Sequence, residues 1–174
     1  IAALLSDADS DIRLLAIPML RRTGSPEAAS ALEPLLADPD MATRVHALMA
    51  LKDLKFRFTT ELLARLLADP SDGIRQIALT VIETPVPDAL VEDVIRLCRI
   101  GGLGVRCTAV QMLPCCAGHR EAVLKTAAAA AEDGDPVIRF AAAMAIGGIR
   151  DPSQKSILER LVLDKRNDVR IQAL

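Results

Sequence analysis

Apolar residues recur along the chain in two alternating stripes. One stripe reads Leu32, Leu35, Leu36, then Leu63, Leu66, Leu67, then Val94, Leu97, Cys98, and finally Leu158, Leu161, Val162. Spacings of three and four put each set on one face of a helix. The other stripe opens with Ile12, Thr43, Ile74, Val105, Ile138 or Val169. Four residues later stands an alanine: Ala16, Ala47, Ala78, Ala109, Ala142 or Ala173. A large apolar residue follows after four more: Leu20, Leu51, Ile82, Leu113 or Ile146. The pattern predicts repeated units of two helices each. Asp135 followed by Pro136 marks one second-helix start, with a side-chain acceptor at the cap and proline in the first turn. Neither helix can cover its own stripe, so successive pairs must stack to bury a continuous core. The small alanines allow close approach of helix backbones.

A charged column runs in phase with this apolar pattern. Arg13, Arg44, Arg75, Arg106, Arg139 and Arg170 recur every 31 residues, apart from one interval of 33. Six residues before the arginine stands an aspartate in five units: Asp7, Asp38, Asp69, Asp133 and Asp164. Ile100 holds that place in the fourth. A fixed period of this length is the mark of a solenoid. The aspartate falls in the turn before the second helix and the arginine near that helix's N-terminal end. An ion pair between Arg and the Asp of its own or an adjacent unit would tie the stack together.

The D-x5-R pairs in DPDMATR, DPSDGIR, DGDPVIR and DKRNDVR, each followed by x-x-Ala, resemble the HEAT-repeat family. In particular, they are similar to the short bacterial HEAT-like repeats also seen in phycobilin lyase subunits. The resemblance covers essentially residues 1–174 as a single domain. It implies an all-α, right-handed α-solenoid of stacked antiparallel helix pairs, with second helices lining a concave face. Four complete units are flanked by two partial ones, and Ile1 to Leu5 match only the end of a first helix. A piece of a longer protein is therefore expected.

Composition narrows the function classes. Aromatic residues make up 2%, with no Trp or Tyr, and the net charge is −2. These properties remove most stacking platforms and the phosphate-binding field, so nucleic acid is not an expected partner. No apolar run reaches the roughly 18 residues of a membrane span, and no basic-then-apolar leader is visible. A cytoplasmic location and no membrane partner are the expectation.

Candidate chemistry concentrates in the fourth unit. Cys98, Cys107, Cys115 and Cys116 lie there near His119. A metal or redox site needs converging ligands, yet no C-x-x-C occurs. Cys98, Cys107 and Cys116 occupy columns that other units fill with apolar residues, where a free thiol packs as a small hydrophobe. IGGLGVR supplies Gly101, Gly102 and Gly104 before a helix. Such a turn could cradle an anion, but a looser inter-helix turn is the simpler expectation. No cofactor is expected. Some HEAT-like enzymes, the deoxyhypusine hydroxylases, hold iron through His-Glu pairs, and neither His46 nor His119 is followed by Glu. No Ser/His/Asp elbow is present either, so a non-enzymatic role is expected.

Two and five positions after each arginine, the second helices should be most open. Those positions read Leu15 and Pro18, His46 and Met49, Ile77 and Thr80, Thr108 and Gln111, Ala141 and Met144. The stripe carries no formal charge and suits an extended peptide or a partner helix. The leading expectation is a scaffold or regulatory module that binds another protein or peptide along this face. One alternative, which the resemblance suggests, is a bilin lyase or isomerase subunit. Another is anion or nucleic-acid binding at a basic edge formed by Arg21, Arg22, Lys52, Lys55 and Arg57.

Overall fold

The computed structural model describes residues 2–174; Ile1 lies outside the described residues. Eleven α-helices succeed one another: α1 (Ser10–Arg21), α2 (Pro26–Leu32), α3 (Met41–Asp53), α4 (Thr60–Leu67), α5 (Asp72–Val81), α6 (Asp88–Leu97), α7 (Leu103–Met112), α8 (Arg120–Ala130), α9 (Pro136–Ile149), α10 (Lys155–Leu161) and α11 (Asn167–Gln172). Short 3-10 segments cover Ala2–Ser6, Glu33–Ala37, Leu113–Cys115 and Pro152–Gln154. No strand occurs among the described residues. Even-numbered helices are the first helices of the expected units and odd-numbered helices the second. Ala2–Ser6 stands where the end of a preceding first helix was expected, with Leu5 buried.

Local chemistry sets the helix ends. Asp9, Asp40 and Asp135 sit at the N-caps of α1, α3 and α9, and their carboxylates accept Asp11, Thr43 and Val137 N–H respectively. Ser25 and Thr59 do the same for α2 and α4. Each cap satisfies one of the donors that a helix start leaves without an intrahelical partner. Pro34, which has no N–H to donate, coincides with the change from α2 to 3-10 geometry at Glu33–Ala37.

The helices stack in two layers. Neighbours in the odd layer pack α1 on α3, α3 on α5, α5 on α7, α7 on α9 and α9 on α11, and α4, α6 and α8 pack in turn in the even layer. Ala16, Ala47, Ala78, Ala109 and Ala142 are each completely buried at these contacts. Leu51, Leu113 and Ile146 close the core one turn on. The residue before the arginine is buried in five units, even where it is Thr43, whose hydroxyl donates to Asp40 Oδ2 at 2.8 Å. That bond lets a polar residue occupy an apolar column without an unpaired hydroxyl. In the even layer, Leu158 and Val162 are only half-buried, unlike Leu32, Leu36, Leu63 and Leu67. The architecture is an all-α solenoid.

Candidate partner-binding face and the ladder behind it

The recurrent arginine uses two edges of its guanidinium for two jobs. On one edge, Nη1 donates to carbonyl oxygens of the turn just before its own helix. Arg13 reaches Asp7 O at 2.8 Å, Arg44 reaches Asp38 O at 2.9 Å, Arg75 reaches Asp69 O at 3.1 Å, Arg139 reaches Asp133 O at 2.9 Å and Arg170 reaches Asp164 O at 2.9 Å. On the other edge, the guanidinium pairs with the aspartate of the following unit. Arg13 meets Asp38 at 2.8 Å, Arg44 meets Asp69 at 3.1 Å and Arg139 meets Asp164 at 2.7 Å, and Arg106 pairs with Asp133. Arg44 and Arg139 engage both carboxylate oxygens, the fork geometry that arginine alone offers. Each of those carboxylates also accepts the backbone N–H two residues on: Asp40, Ser71, Asp135 and Arg166. Asp7 accepts Asp9 N–H in the same way. One aspartate therefore shapes its own turn and ties that turn to the arginine below.

Arg75 departs from this scheme, for a reason written in the sequence. The following unit offers it Ile100 instead of aspartate. Arg75 pairs with Asp72 of its own helix, and Asp72 Oδ2 accepts Gly102 N–H of the next unit at 2.7 Å. The link across this junction runs in reverse, with the carboxylate supplied from below. Close approach of side chains explains two glycines here. A Cβ on Gly102 would lie 2.6 Å from Asp72 Oδ2, and one on Gly104 would lie 2.9 Å from the amide of Gln76. Gly101 takes φ +99°, which favours glycine. The anion at this helix start is the protein's own Asp72. Nothing in the glycine pattern alone pointed to Asp72, because it lies outside the aspartate column.

The expected stripe lies on the odd layer. Leu15, Pro18, His46, Met49, Thr80, Gln111 and Met144 are exposed, and Ile77 and Thr108 are partly exposed. Leu15 is 70% exposed, Met49 47% and Met144 42%. Ala141 is completely buried, so the stripe does not include it: α9 is rich in small residues and packs closely on both α7 and α8. Local hydrogen bonds hold the polar members. His46 Nδ1 lies 2.8 Å from Ala42 O, Thr80 Oγ1 donates to Ile77 O and Thr108 Oγ1 to Gly104 O.

Side chains outside the stripe find structural partners. Arg21 pairs with Asp53 at 2.8 Å and Lys52 donates to Thr80 Oγ1 at 2.9 Å, so two cations of the basic edge link neighbouring units. Arg22, Lys55 and Arg57 are exposed. All four cysteines are free, with Cys98 and Cys116 buried. Burial pushes the Cys98 thiol up to about 12 and the Cys116 thiol up to about 11, which makes both poor nucleophiles. Among the described residues, no three or more His, Cys, Asp or Glu side chains are grouped to hold a metal ion. No helix is long and apolar enough to cross a membrane among those residues.

Similar solved structures share this architecture. A designed armadillo repeat protein in complex with the peptide (KR)4 is 18% identical, with TM-score 0.71, covering 99% of this chain and 94% of that one. Computationally designed armadillo repeat proteins for modular peptide recognition give 19% identity and TM-score 0.70, with the same coverage. Human deoxyhypusine hydroxylase in complex with glycerol is 19% identical with TM-score 0.57, over 99% of this chain and 69% of that one. At these identities the likeness concerns the fold alone. No curated protein matches the chain. Residues 1–83 and 103–174 match the family of HEAT repeats, and the unmatched stretch between them holds α6 and the glycine turn where the aspartate column breaks. With most of its length matched and its arginine–aspartate ladder in place, the chain belongs to the HEAT repeat family.

Proposed function

We propose that the chain is a non-catalytic binding module, a scaffold or regulatory segment that takes up another protein as an extended peptide or a single helix along the odd layer. The observation that carries this reading is the uncharged stripe from Leu15 to Met144, which stays open while the columns beside it are buried. Exposed methionines suit such a surface because their unbranched, polarisable side chains adapt to a partner's shape. A parallel layer of helices provides a long shallow groove for an elongated ligand. The designed armadillo protein bound to (KR)4 supports the general mode, since a similar solenoid there accommodates a peptide. The stripe here lacks formal charge, so an apolar or mixed sequence fits it better than a run of arginine and lysine.

The test combines Met49→Glu and Met144→Glu in the intact protein. Capture of a partner should fall while the thermal midpoint and helical signal stay near wild type. Loss of capture together with unfolding would make these residues core and end the proposal. A visible absorbance change on mixing with free bilin would replace it with the lyase reading.

A further inference from the structure

The connection between α3 and α4 is built unlike its counterparts. It carries Phe56 and Phe58, and among the described residues no other connection from a second helix to the next first helix holds an aromatic residue. The chain has three phenylalanines and neither Trp nor Tyr, so two of its three rings meet at this one turn. Their centroids lie 5.1 Å apart, with ring planes at 83°. Perpendicular rings leave a corner that presents a face of each. A cation seated there lies within the roughly 6 Å over which an aromatic face attracts positive charge.

Both rings line a cavity of about 330 Å³, a volume at the lower end of small-ligand clefts. Leu63, Val81 and Pro87 extend its apolar wall. Both rings pack against the core yet stay partly exposed. Glu61 and Glu83 add two carboxylates to the lining and Arg57 one guanidinium, all three exposed. Among the described residues, none of the three belongs to an ion pair. An excess of negative charge therefore stands beside an aromatic surface. That combination is complementary to positive charge carried on an apolar frame and unfavourable to anions.

We propose that this cavity binds one quaternary ammonium group, with Phe56 and Phe58 against its methyl groups and Glu61 and Glu83 balancing its charge. A primary ammonium is a compact, strongly hydrated point charge and loses more water on entering such a wall. Methyl groups spread the charge over a surface that phenyl, leucine, valine and proline side chains can cover. None of the odd-layer stripe residues lines the cavity, so the site does not depend on the binding face proposed above.

Amide NMR spectra of the whole protein, titrated with choline chloride and with a peptide carrying one trimethyllysine, test the site at constant ionic strength in sodium chloride. Saturable shifts are expected at Phe56, Phe58 and Glu83, with Gln111 and Met144 unmoved. The tighter of the two probes tells whether the group arrives as a free molecule or on a side chain. Glu83→Gln alters an exposed side chain, so the fold should persist, and binding should weaken about threefold, as for one exposed charge pair. Phe58→Leu keeps an apolar residue and should weaken binding about fivefold, as for one cation–π contact. Arg57→Ala removes a competing cation and should tighten binding. The absence of saturable shifts with both probes would overturn the proposal. So would weaker binding in Arg57→Ala, unaltered binding in Glu83→Gln, or equally tight binding of dimethylbutanol, the uncharged shape analogue of choline.

Discussion

A guanidinium is planar, permanently charged and carries five donors, and Arg44 spends them on both sides of a unit junction. Nη1 holds the preceding turn while Nε and Nη2 grip Asp69. Lysine offers a point charge with no fork and could not do both. Arg44→Ala would leave the Asp69 carboxylate, 11% exposed, without its counter-ion. Removing one partner from such a pair costs about 3–5 kcal/mol, so a clear drop in the denaturant midpoint is expected; Arg44→Met with Asp69→Leu should recover much of it. Proton binding at Asp164 gives a second test. Its hydrogen bond from Arg139 holds the carboxyl at about 2, below the ordinary carboxylate value. A depressed folded value stabilises the protein at neutral pH, and that contribution fades as pH falls from about 4 to about 2. Asp164→Asn should flatten the acid-unfolding slope across that window, measured by helical signal against pH. The thiols offer a third. Cys115 should react with a thiol reagent at pH 8 well before Cys98 and Cys116, which are buried and protonated there.

Between elements, backbone separation depends on the alanine column. Ala109 is completely buried where α7 meets its neighbours. Ala109→Leu should destabilise by about 1–3 kcal/mol through overpacking, seen as a lower thermal midpoint without loss of helix type. The reversed link at the glycine turn makes a sharper test of mechanism. Gly102→Ala should destabilise the protein while Asp72 is present, because the new Cβ meets its carboxylate. In an Asp72→Ala background the same change should be neutral or stabilising, since Gly102 has φ −67° and ψ 167°, which alanine adopts freely. Additive effects across this double-mutant cycle would show that the contact does not matter.

Over the whole molecule, each unit rests on its neighbours, so stability is a sum of local junctions. α11 is six residues long, packs on α9 and carries an Ile171 that is 69% exposed. Hydrogen exchange should therefore be faster in α11 than in α9, whose alanine-rich length is enclosed by α7, α8 and α11. The proposed binding face is also a property of this scale. No single unit spans it; five second helices set side by side carry the stripe.

Much of this was legible in the residues alone. Periods of three, four and thirty-one specify which faces must be buried and how often, because a helix repeats every 3.6 residues and a hairpin cannot cover its own apolar stripe. The Arg and Asp columns likewise announced a ladder. Its direction was not announced, because spacing along the chain cannot say whether Asp38 serves Arg13 or Arg44. Stacking decides it, by setting Asp38 beside Arg13 of the unit before. The same holds for Asp72, which no column marked, and for Ala141, which its column set on the open stripe. Side-chain exposure and partners depend on the adjacent unit, and only the packed layers bring Gly102 against Asp72 or enclose Ala141.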